Sequence, residues 1–230
     1  MRRRCRVFVV VICSWPLIAY GQGSASRQDL ARQVMTALAA GKDAEVISHF
    51  SPELQSHLTE AQMQTAWSSI TQRVGTFSKI LKVVAEDVQG RPAVFVVSQF
   101  THANATLTLF FDPQDEIQGI WITPNSTLTA QQMESAARAL VDQLSSGDYA
   151  DVEQKFDSRM KSGLPVDKLT AVWNQALDRL GKFSQILVAQ KIGVIDTVDV
   201  RCSFAKRNAV LRVSFDADNN VGGLWILPEQ

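Results

Sequence analysis

The groups in this 230-residue chain best suited to chemistry are three histidines, one cysteine far from the N-terminus and one acidic, amide-rich run. His49, His57 and His102 could ligate a metal or move a proton, but a zinc site needs three or four convergent ligands. No H-E-x-x-H and no C-x-x-C gathers such ligands, so the histidines read as solvent-facing or loop side chains. Asp216-Ala-Asp218-Asn219-Asn220 opens like a calcium loop, which requires glycine at its sixth position and glutamate at its twelfth. Val221 and Leu227 stand there instead, and an Asp/Asn-rich hairpin turn is expected. Cys202 lies in the alternating pattern Val198, Val200, Cys202, Phe204, which makes it a buried thiol rather than a nucleophile. The G-x-S-x-G elbow of an α/β-hydrolase is absent. These residues assign no catalytic position, no metal ligand and no cofactor.

The first 21 residues carry Arg2, Arg3, Arg4 and Arg6, then an apolar run from Val7 to Ala19, then Ala19-Tyr20-Gly21. A positive start, a short greasy middle and small residues at the end are expected of a secretory signal peptide, giving an exported, periplasmic or secreted protein. The run is shorter than the ~20 residues that span a bilayer, so no membrane span is expected after signal removal. The full chain has 23 basic and 23 acidic residues; taking away the four signal arginines leaves 19 against 23, or net −4. No basic cluster survives, which excludes the electrostatic footprint of nucleic-acid binding. Cys5 and Cys13 leave with the signal, so Cys202 has no partner for an intrachain disulfide.

Positioning elements follow from an internal repeat. Residues 75–81 read GTFSKIL and residues 181–187 read GKFSQIL, 106 positions on. At that offset Gly41 falls on Gly147, Phe50 on Phe156, Trp67 on Trp173 and Phe77 on Phe183. A two-residue deletion then changes the offset to 104, placing Phe100 on Phe204 and Phe111 on Phe215. The spacing predicts two tandem domains, 27–124 and 129–228, each near the size that buries its own core. Each reads as three helices followed by four strands. Leu30, Val34 and Leu38, and Ala136, Leu140 and Leu144, mark the first helix, with Ser26 and Thr129 as N-caps. A short helix is expected around 44–50 and 150–160. The third carries Met63, Trp67, Ile70 and Val74, or Leu169, Trp173, Leu177 and Leu180, and ends at Gly75 or Gly181. The period then falls to two, with strands near 76–87, 93–102, 105–111 and 117–123, and near 182–194, 197–205, 209–215 and 221–227. Helices on one face of a curved four-stranded antiparallel meander make an α+β design.

The G-x-F-x-x-I turn, the helix tryptophan and the closing F-D-x(5–6)-G-[IL]-W-I-x-P resemble an uncharacterised bacterial domain, domain of unknown function 3887, of the cone-shaped nuclear-transport-factor-2-like superfamily. The resemblance spans both units. It implies a pair of cone-shaped domains, a bacterial exported setting and association with α/β-hydrolases, but no activity. Ketosteroid isomerases of that superfamily join an aspartate base to a tyrosine-containing oxyanion hole. Past the signal only Tyr149 remains, near the start of a short helix, and the first unit has no tyrosine.

The two copies disagree on one sheet face. Under the helices, Val94, Val96, Ser98 and Phe100 match Val198, Val200, Cys202 and Phe204. On the other face Phe95, Val97, Thr108 and Phe110 stand where the second copy has Asp199, Arg201, Arg212 and Ser214. A strand apolar on both faces needs a cover on both. The sister domain, another protein chain and a small apolar ligand are three such covers. Trp67, Phe77 and Trp121, with Trp173, Phe183 and Trp225, could line a cavity in each unit, or form plain core. The expected function is a non-catalytic binding or assembly module, and the resemblance implies one accessory to a hydrolase. The alternatives are a small-ligand carrier and an isomerase- or hydrolase-like enzyme using the cavity.

Overall fold

The computed structural model describes residues 22–88 and 90–229. Residues 1–21, where the signal peptide is expected, lie outside the described residues. The first half runs α1 (Gln22–Ala39), α2 (Asp43–Ile47), α3 (Pro52–His57) and α4 (Glu60–Val74), then β1 (Phe77–Val88), β2 (Arg91–Phe100), β3 (Asn104–Phe111) and β4 (Ile117–Pro124). The second runs α5 (Ala130–Ser146), α6 (Tyr149–Gln154), α7 (Ser158–Gly163) and α8 (Val166–Leu180), then β5 (Phe183–Ile192), β6 (Thr197–Phe204), β7 (Asn208–Phe215) and β8 (Val221–Pro228). Each set of strands forms its own antiparallel meander in chain order. The chain is α+β, with two tandem domains. Among the described residues no helix is long and apolar enough to cross a membrane.

Local chemistry explains most boundaries. Thr59 and Thr129 each make a capping box, accepting from the backbone of Gln62 or Gln132 while that glutamine's side chain accepts from the capping residue. Each repeated heptapeptide begins with a helix-ending glycine, Gly75 at φ 86° and Gly181 at φ 85°, conformations that disfavour any side chain. The same heptapeptides then carry two register shifts, at Phe77/Lys79 and Ile80/Lys82 in β1 and at Phe183/Gln185 and Ile186/Val188 in β5. Such bulges bend a strand and blunt an edge against pairing. The sequence repeat therefore encodes one helix-to-sheet corner, made twice.

Two expectations change. Each unit has four helices rather than three, because the middle segment breaks at Phe50 and Phe156. Their backbones bridge to Ile117 and Val221, and both side chains are buried. A new helix begins immediately behind, where Ser51 Oγ accepts from Leu54 N (3.3 Å) and Asp157 Oδ1 from Met160 N (2.5 Å). Ser26 is not an N-cap: α1 already runs through it, and its Oγ donates back to the Gly23 carbonyl.

Two separate cores result. In the first unit Ala31, Val34, Met35 and Leu38 of α1 meet Val94, Val96, Leu107 and Leu109 of the sheet. In the second, Ala137, Leu140, Val141 and Leu144 of α5 meet Val198, Val200, Leu211 and Val213. The units touch through the β5–β6 turn, where Asp196 accepts from Asn125 Nδ2 (3.2 Å) and Ser126 N (2.8 Å). Arg73 of α4 also pairs with Asp218 across the units, at 2.5 Å.

Candidate functional site

The structure keeps the chemically capable side chains apart. His49 follows α2, His57 ends α3 and His102 sits in the β2–β3 turn. Among the described residues no three His, Cys, Asp or Glu side chains gather as a metal site. The 216–220 segment is a hairpin turn: Asp216 Oδ1 accepts from Asp218 N (2.9 Å) and Asn220 N (2.8 Å). Asn219 adopts φ 66° there, a left-handed conformation open to asparagine. Tyr149 packs against the second core, and Cys202 lies in that core with no exposure. Burial pushes the Cys202 thiol up to about 12, with Asp142 adding to the rise and Arg138 opposing it. A thiol so held is not a nucleophile at neutral pH.

Four of the six aromatic residues proposed as cavity lining form core triads. Trp67 and Phe77 lie 6.0 and 5.8 Å from Phe100, and Trp173 and Phe183 lie 6.2 and 5.5 Å from Phe204. Trp121 and Trp225 differ. Trp121 pairs across the sheet with Thr108 on the face away from the helices, its ring against Gly119, and is 55% exposed. Trp225 takes the matching place opposite Arg212 and against Gly223, 48% exposed.

The proposed interaction face is divided. Phe95 is not surface: it is 5% exposed. The β5–β6 turn of the second unit reaches this side of the sheet. Gly193 approaches the Glu86 carboxylate, and Ile195 and Asp196 border Thr106 and Thr123. Val97, Thr108 and Phe110 remain half-buried. Phe110 packs edge-to-face on Trp121 at 5.3 Å, and the Arg91 guanidinium lies 4.9 Å over its ring. In the second unit the same face is ionic: Arg212 donates two hydrogen bonds to Asp199, at 2.7 and 2.8 Å, which raises the Arg212 pKa above its usual value.

A cleft of about 560 Å³ opens in the second unit between α8 and the edge strand β8. Leu164, Leu169, Trp173 and Ala176 line one side, and Leu211, Leu224 and Leu227 the other. Its polar side chains are Gln175, Arg179 and Arg207. Neither arginine makes a salt bridge among the described residues. The first unit is built otherwise. Helix α4 packs against β4, and no comparable packing joins α8 to β8. The aligned positions hold Ile70 for Ala176, Thr123 for Leu227 and Ala103 for Arg207. Arg73, the counterpart of Arg179, is spent on Asp218.

A family model described as "Protein of unknown function (DUF3887)" matches residues 31–120 and again residues 137–224. The chain belongs to this family, in two copies. No curated protein and no solved structure matches it. Both matched regions contain the glycine corner and the core triad, and the outer-face tryptophans Trp121 and Trp225 stand one residue past their ends, so both copies share these features. The cleft belongs to the second copy. Sequence reasoning passed over Ala176, Arg179 and Arg207, which line one cleft only once helix and sheet are assembled. The available signal was the exchange of Ile70 for Ala176 and Ala103 for Arg207 between aligned positions.

Proposed function

We propose that the chain is an exported, non-catalytic binding or assembly module, made of two nuclear-transport-factor-2-like units. One observation supports this above the others: among the described residues, the lining of its open apolar cleft holds no side chain suited to act as general base or nucleophile. Among the described residues the α8–β8 cleft has no carboxylate, imidazole, hydroxyl or thiol side chain in its lining. On the outer face Arg91 and Thr108 stand beside Phe110 and Trp121, and Glu86 lies in the same cross-strand row two strands away. General acid–base and nucleophilic chemistry need at least one titratable group at the reacting atom. Export rests on the composition of residues 1–21.

The Phe110–Trp121 patch is the contact surface of this reading. An aromatic pair beside an arginine, half open to water, has the composition of an interface anchor. The partner is a separate protein chain, and the resemblance to hydrolase-associated domains makes an α/β-hydrolase the first to test. A photo-crosslinking amino acid at position 123 should give a discrete product in the source cells. That product should vanish in the Phe110→Asp/Trp121→Asp variant while helix content is unchanged. Equal crosslinking in the variant would remove this face from the function.

A further inference from the structure

We infer that the α8–β8 cleft of the second unit binds a single-chain amphiphile with an anionic head, a free long-chain carboxylate being the form proposed. This rests on the binding-module reading and gives its second unit a ligand class. The walls supply the tail's environment: Leu164, Leu169, Trp173, Leu224 and Leu227 enclose a volume within the range of small-molecule sites. Val172 borders the cleft while 47% exposed, so an apolar chain laid there removes protein surface as well as its own from water.

The head group is specified by charge. Arg179 at the end of α8 and Arg207 in the β6–β7 turn converge on one cleft from different elements. Lys206, next in the chain to Arg207, spends its ammonium on the Asp178 carbonyl at 2.7 Å, so it does not crowd the pair. Among the described residues no carboxylate lines the cleft to neutralise the two guanidiniums. Guanidinium offers a planar fork of donors matched to a carboxylate, and two of them favour an anion strongly over a cation. The first unit supports the assignment by contrast. It fills the Ala176 place with Ile70, replaces Arg207 by Ala103, and engages Arg73 with Asp218.

The test uses the full chain and dodecanoate below its micellar concentration, followed by titration calorimetry. The expected result is saturable one-to-one binding, with dodecyltrimethylammonium failing to bind and dodecanol binding about tenfold more weakly than the acid. Copying the first unit, Ala176→Ile/Arg207→Ala should weaken dodecanoate by at least about tenfold with an unchanged circular dichroism spectrum. Arg179→Gln/Arg207→Gln, which leaves the apolar walls intact, should lose the acid's advantage over dodecanol. Phe110→Asp/Trp121→Asp should bind dodecanoate like the wild type, which separates this inference from the partner surface. Absence of saturable binding, equal affinity for the ammonium amphiphile, or full binding by both cleft variants would overturn it. So would co-sedimentation with phosphatidylglycerol vesicles without dodecanoate binding, because the chain recognised would then be one held in a bilayer.

Discussion

Helix α4 and helix α8 begin at aligned positions, end at aligned glycines and carry aligned tryptophans, yet one closes on its edge strand and the other leaves a cleft. The neighbouring packing of α2 on α4 is matched by α6 on α8, and that of α3 on β4 by α7 on β8. Against that matched packing, the α4–β4 and α8–β8 seams differ. At this seam the second copy substitutes alanine for isoleucine, leucine for threonine and arginine for alanine. A duplicated fold keeps the residues that make its corner and core, and diverges where a side chain can change without unfolding either. What the comparison teaches is that the cleft is a local edit to a fold complete without it.

Breaking the shared part should cost most. Gly75→Ala and Gly181→Ala force a side chain into φ 86° and 85°, against Thr101 Oγ1 in one copy and the Lys206 backbone in the other. Each should destabilise its unit by about 1–3 kcal/mol in urea unfolding. Gly163→Ala, where a new Cβ meets nothing within 4 Å, is the control and should move the midpoint little. Similar losses at 163 and 181 would mean the corner is not what the repeat preserves.

A second test exchanges the copies' buried polar positions. Ser98 and Cys202 are aligned, both with no exposure, and Ser98 Oγ has no hydrogen-bond partner. Cys202→Ser should lose about 1–3 kcal/mol by burying another hydroxyl, and Ser98→Cys should recover part of that in the first unit. Thermal melts of the two variants should shift in opposite directions. Cys202 should also resist a disulfide reagent at pH 8 until urea is added. With its folded pKa raised from an ordinary 9.0 to about 12, the native state retains a proton that the unfolded state releases. Stability is thus unaffected below about pH 9 and declines as pH rises toward 12. Constant stability across that window would contradict the burial of Cys202.

The smallest effect belongs to the outer face. Asp199→Phe/Arg212→Thr gives the second sheet the first sheet's residues in place of an ion pair whose side chains are 24% and 38% exposed. The change in stability should stay within about 1 kcal/mol, since a pair this open contributes little. A larger loss would show that this ion pair holds the second sheet together.

Much of the fold was legible because its signals are local: capping boxes, helix-ending glycines and period-two strands each depend on a few adjacent residues. Parity in β2 and β3 placed Phe95 and Phe110 on the correct face. Trp121, expected as cavity lining or core, lies on the other face, where the register shifts between Phe110 and Phe111, opposite Gly119 and Ile117. Ile117, Ile120 and Ile122 face the core, whereas unbroken alternation from Ile117 would have turned Trp121 inward. The division of the middle helix was hidden for a related reason. Phe50 and Phe156 are held by bridges to residues 65–67 positions away, and no helical period records such a partner. Phe95 was expected to need a cover, with the sister domain, another chain and a ligand all open, because alternation within a strand records that a face is apolar and not what lies over it. The cleft was least visible, since it depends on how far a helix stands from a strand.

The most direct test of this divergence is fluorine NMR of the full chain carrying 5-fluorotryptophan, titrated with dodecanoate. Trp173 lines the cleft and Trp67 is its aligned counterpart in the closed unit. The account predicts that the Trp173 resonance shifts to saturation while that of Trp67 stays in place. Equal movement of the two, or of neither, would contradict it.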